Sequence, residues 1–164
     1  SHWSFTAFCL CRRALGVRFE LQVLLLTELV STAYYRVLQA HSPDAPLAEM
    51  CGLILRDEAG HVAFHRDRLA DTGRSPLGLR GILWQTQFWV LGHAAAAMLW
   101  ANHGRCLTAI GGSRAEYFGE VRRELGRFIV SLCQSCETGF ARFDAAAIAT
   151  PGLAGQPMKL PGKS

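Results

Sequence analysis

Between Leu47 and Leu69 the chain carries a stripe at helical spacing: Leu47, Met50, Cys51, Ile54, Glu58, His61, His65 and Leu69. An otherwise apolar face is broken by a carboxylate and two imidazoles. Recurrence at three and four residues is the period of one face of an α-helix. A second stripe, Val17, Leu21, Leu24, Leu25, Glu28, Thr32 and Tyr35, carries another glutamate in the same way. Any fold of this chain must satisfy Glu28 and Glu58, because a carboxylate withdrawn from water without a partner is very costly. Residues three apart on a helix face the same way, so Glu58 and His61 can reach one ion together. Two helices laid antiparallel across His41-Ser42-Pro43-Asp44-Ala45-Pro46 would bring Glu28 opposite them.

The remaining pattern predicts an all-α, antiparallel bundle of about four long helices, with no strand alternation. The first helix is predicted from about Phe5 to Ala40, with a bend at Gly16. The second starts with Asp44 as N-cap and Pro46 in its first turn and runs to about Leu69. Asp71-Thr72-Gly73-Arg74-Ser75-Pro76 ends it. The third spans roughly Leu79 to His103 and reads as a buried core helix. Gly111-Gly112-Ser113 breaks the chain, and Ser113 with Glu116 makes a capping-box pattern for a fourth helix to about Phe143. The bundle domain is assigned to residues 1–148, and the Pro- and Gly-rich stretch 149–164 is expected to be a disordered tail.

Composition narrows the function classes. The 164 residues are half hydrophobic and 18% charged, which excludes a disordered chain and suits one domain. The net charge of +4 comes from dispersed basic residues, so nucleic-acid binding is not expected. Fifteen of the 17 basic residues are Arg, which reads as the coding bias of a GC-rich bacterium. No secretory leader is evident, so the cysteines at 9, 11, 51, 106, 133 and 136 are read as free thiols of a reducing cytoplasm. Cys9-x-Cys11 and Cys133-x-x-Cys136 lie in helical patterns rather than in the knuckles that hold zinc. Gly81 to Trp100 is 20 residues without a formal charge, the length of a membrane span. Gln85, Gln87, His93 and the weakly apolar Ala94–Ala97 run favour a bundle helix over a membrane one.

Glu28, Glu58 and His61 are therefore the candidate metal ligands. Carboxylate oxygen with one imidazole suits iron or manganese. A chain with eight Glu and six His yields a Glu-x-x-His by chance readily, and a lone core His is usually satisfied by a carbonyl. Two carboxylates and a His on facing apolar stripes weigh the balance toward a metal and against a purely structural network. His65, one turn beyond His61, reads first as a hydrogen-bonded bystander and second as a further ligand or a ligand's partner. Tyr35 reads as an aromatic core residue with a polar tip. Glu116, Glu120 and Glu124, interleaved with Arg122, Arg123 and Arg127, read as a solvated face with intrahelical ion pairs.

The stretch Leu25-Leu26-Thr27-Glu28-Leu29-Val30-Ser31-Thr32-Ala33-Tyr34-Tyr35, followed by Ile54-Leu55-Arg56-Asp57-Glu58-Ala59-Gly60-His61-Val62-Ala63-Phe64-His65, resembles the ferritin-like helical-bundle proteins of bacteria. The resemblance covers roughly residues 17–70. It implies a ferritin-like bundle with Glu28 as the single-helix carboxylate and Glu58 and His61 as the paired ligands. It also implies a site for two iron or manganese ions in an oxidoreductase that activates dioxygen, acting on a small organic molecule or on iron itself.

The complete ligand set of such a site has a second Glu and a second Glu-x-x-His, and no other Glu-x-x-His occurs here. Three completions are open: a helix pair upstream of Ser1, a second subunit of a homo-oligomer, or a mononuclear or degenerate site. The upstream pair is the expected one, since Ser1 is not a natural start. The alternative reading is a non-catalytic bundle with a degenerate metal site, acting in assembly or at a membrane through its apolar third helix.

Overall fold

The computed structural model describes residues 17–71 and 78–149, with side chains for 20–71 and 78–136. The described residues form four α-helices and no strand: α1 Val17–His41, α2 Ala45–Ala70, α3 Gly78–Ala109 and α4 Arg114–Ala149. The all-α bundle expected from periodicity is observed. The predicted segment 5–16 and the tail from 150 lie outside the described residues, as do positions 72–77 of the second turn.

Side-chain contacts give the directions. Gln39 reaches the Ala48 carbonyl and Glu28 reaches α2 near His61, so α1 and α2 are antiparallel. Arg36 meets Glu124 and His41 meets Glu116, so α1 and α4 are antiparallel. Tyr117 packs on Trp100 and Phe88 on Phe128, so α3 and α4 are antiparallel as well. α1 and α4 form the centre, with α2 on one side and α3 on the other. Among the described residues α2 and α3 do not touch.

The core follows from the stripes. Leu25, Leu29, Ala33 and Val37 of α1 meet Tyr117, Val121, Leu125, Phe128 and Leu132 of α4, all buried at three- and four-residue steps. α3 adds Phe88, Ala96 and Leu107. Each fully buried side chain of Leu or Phe size contributes about 1.5–3 kcal/mol. The aromatic rings stack along the α3–α4 seam, Trp84 on Phe88 at 5.2 Å and Phe88 on Phe128 at 5.5 Å.

Two helix ends are set by local chemistry. Gly111, at φ +96°, closes α3. Its N–H donates to the Thr108 carbonyl at 3.2 Å and that of Gly112 to the Leu107 carbonyl at 2.8 Å. This is the paired bonding of a Schellman end, which needs a left-handed residue at Gly111. The Ser113 hydroxyl then accepts from the Glu116 N–H at 3.1 Å and caps α4. Only half of the expected capping box forms, because the Glu116 carboxylate turns instead to His41 Nε2 at 2.8 Å. Asp44 occupies the N-cap of α2 with Pro46 in the first turn, but its side chain makes no cap bond.

Two expectations are corrected. α3 is six residues longer at its C-terminal end than the predicted limit at His103, and it is not a buried core helix. Leu79, Ile82, Leu83, Val90 and Met98 are exposed, because among the described residues α3 packs on α1 and α4 and no helix covers its outer side. Among the described residues no helix is long and apolar enough to cross a membrane.

Candidate metal centre

The antiparallel packing of α1 on α2 brings Glu28, Glu58 and His61 together. Each offers one donor atom, and these atoms lie within 4.8 Å of one another. His61 Nδ1 is 3.5 Å from Glu58 Oε2 and 3.8 Å from Glu28 Oε1. The side chains of Glu28 and Glu58 are about one-fifth exposed, whereas that of His61 is 56% exposed. His61 therefore stands at the mouth of the cluster, not on a buried stripe as its spacing suggested. α2 is a peripheral helix, with only Cys51 and His65 buried.

The carboxylates are incompletely satisfied. Glu28 Oε2 and Glu58 Oε2 are buried, and neither has a hydrogen-bond partner among the described residues. A native fold rarely leaves such atoms without a reason. Burial raises the pKa of Glu28 above its ordinary value; the nearby His65 imidazole partly opposes this, and the Glu58 carboxylate adds to it. Two acidic groups and an imidazole with spare lone pairs are the donor set of a hard or borderline divalent cation.

His65 also stands beside Glu28. It is 7% exposed, and its Nε2 lies 3.4 Å from Glu28 Oε2. The signal was available in the stripe itself, where His65 falls seven residues after Glu58 on one face. Tyr35 does not join the cluster through any contact described; its ring packs edge-on against Tyr34 at 5.8 Å.

The acidic row of α4 carries the expected intrahelical ion pairs, but its face is not wholly solvated, because Glu124 turns inward. Glu124 is buried and pairs with Arg36 of α1 at 2.7 Å and with Arg127 at 3.1 Å. Glu120 takes Arg123, and Glu116 takes His41. These carboxylates are engaged by Arg36, Arg123, Arg127 and His41, and none belongs to the cluster of α1 and α2. Cys51, Cys106, Cys133 and Cys136 are free, while Cys9 and Cys11 lie outside the described residues.

A cleft of about 180 Å³ opens beside the cluster, between α1, α2 and α4. Leu29, Ala59 and Val62 line it, the residues immediately after Glu28, Glu58 and His61. Phe128 forms part of its wall, with Arg66 and the Arg127–Glu124 ion pair also lining it. Comparison of the chain with family models, curated proteins and solved structures returns no match.

Proposed function

We propose that this chain is a metal-binding helical bundle of ferritin-like type, in which Glu28, Glu58 and His61 hold iron or manganese. The observation that carries this reading is the pair of buried carboxylate oxygens, Glu28 Oε2 and Glu58 Oε2, left without hydrogen bonds beside an imidazole. A cation would compensate both at once, and the donor set fits it. The finer reading is a di-iron or di-manganese carboxylate oxidoreductase acting with dioxygen. Bound ions of this kind would supply redox and Lewis-acid chemistry at open coordination positions. The chain's own part is to hold the donors from two rigid helices and to keep His61 at the open side. The neighbouring cleft has room for a small organic substrate, with apolar side chains, Arg66 and the Arg127–Glu124 pair in its lining.

A second reading, a non-catalytic bundle acting in assembly, draws on the exposed apolar row of α3, Leu79, Ile82, Leu83, Val90 and Met98. Elemental analysis of the purified chain, and of the Glu58→Ala variant, after supplementation with iron and manganese tests the first reading. Metal retained by the parent chain and lost in the variant supports it. Near-zero metal in both rejects it.

A further inference from the structure

The two oxygens of Glu28 face two different imidazoles. Oε1 is nearest His61 Nδ1 at 3.8 Å, and Oε2 lies 3.4 Å from His65 Nε2. His65 is buried, and its 3.4 Å approach to Glu28 Oε2 is longer than an aligned hydrogen bond, so that oxygen has no geometrically satisfied partner among the described residues. A buried histidine acting as a simple structural partner would close an aligned N–H···O bond at about 2.7–3.2 Å. Two donor atoms bound to one tetrahedral ion at about 2.0–2.2 Å each instead stand about 3.3–3.6 Å apart. The His65–Glu28 separation of 3.4 Å and the His61–Glu58 separation of 3.5 Å have this ligand-to-ligand length, and the His61–Glu28 separation of 3.8 Å is slightly longer.

We propose that His65 is a fourth metal ligand and, with Glu28 Oε2, forms a second divalent-cation position within this single chain. Glu28 bridges the two positions, and Glu58 with His61 completes the first. The proposal rests on the metal-binding reading above and extends it. It makes a two-ion site without a second Glu-x-x-His, because Glu58, His61 and His65 occupy one face of α2 at steps of three and four residues. Two carboxylates carry −2 against the +4 of two divalent ions. Solvent, hydroxide or an anionic ligand therefore fills the remaining coordination.

The test is anaerobic titration of the metal-free full chain with Co(II), read by visible absorption and by elemental analysis after gel filtration. The expected stoichiometry is two for the wild type and one for each of His65→Gln and His65→Ala. A wild-type stoichiometry of one, or His65 variants that still bind two, overturns the proposal and leaves the metal-binding reading standing. No Co(II) bound by the wild type overturns both. Should the variants fail to fold, proton NMR of the Co(II)-loaded wild type decides. Two paramagnetically shifted, exchangeable imidazole N–H signals are expected, from His61 and His65, and a single one overturns the proposal.

Discussion

Arg36 Nε donates to Glu124 Oε1 at 2.7 Å, joining the centre of the bundle across 88 residues of sequence. The carboxylate is buried and the guanidinium is partly exposed, so the pair is anchored at its acidic end. Arg127 approaches the same oxygen from within α4 at 3.1 Å but is more exposed. Removing Arg36 leaves a buried carboxylate with one solvated partner. Arg36→Ala is expected to cost about 1–2 kcal/mol, allowing for solvent screening of the exposed guanidinium. Arg127→Ala is expected to cost less than about 1 kcal/mol. Urea unfolding of the two variants measures the difference, and equal losses would contradict an anchoring role for Arg36.

At Gly92, α3 packs closely against both α4 and α1. A Cβ there would stand 2.8 Å from Leu125 Cδ1, 2.9 Å from Leu125 Cδ2 and 3.4 Å from Leu26 Cδ2. Gly92→Ala gains about 1 kcal/mol of helix propensity but overpacks a buried seam at about 1–3 kcal/mol. The net expectation is a loss of about 1 kcal/mol in chemical denaturation. Gly60→Ala has open space and should gain stability instead.

Tyr117 is fully buried, and burial raises the pKa of its phenol above the ordinary value of 10.0. The folded chain keeps this proton where the unfolded chain releases it. The stability from this group is therefore complete below pH 10.0 and is lost as pH rises toward the folded-state pKa. Tyr117→Phe should reduce the alkaline fall in melting temperature above that pH. At neutral pH it should cost only about 0.5 kcal/mol, since the hydroxyl bond to the Ala96 carbonyl is long at 3.4 Å.

Glu28 makes the opposite demand on the metal-free chain. Burial raises its pKa, so the folded state resists its ionisation. Relative to a neutral side chain, stability at this position is lost as pH rises through the folded-state pKa, which lies above 4.5. Glu28→Gln should therefore melt higher than the parent chain in chelator at pH 7, with a smaller advantage at pH 4. The same variant should bind Co(II) at least about tenfold more weakly. A variant that melts lower at pH 7 would show that the ionised carboxylate supports the fold without metal.

The helices and most of their ends were legible because they are local. The three- and four-residue steps from Leu25 to Val37 in α1 and from Tyr117 to Leu132 in α4 require only neighbours along one helix. The Gly111–Gly112 stop and the Ser113 cap are likewise short-range chemistry. The cluster of Glu28, Glu58 and His61 was legible for a related reason: a short turn forces α1 and α2 to lie side by side.

Periodicity names the face of a helix but not the neighbour that covers it. It could not show that Glu116 leaves its capping box for His41, or that Glu124 turns inward to Arg36. Nor could it show that the apolar outer side of α3 stays open. Four helices, and three side chains able to share an ion, follow from local pattern alone. That His61 stands exposed while His65 is buried against Glu28 is a consequence of the packing. Those outcomes depend on how α2 lies across α1 and α4, and packing between distant segments sets that arrangement.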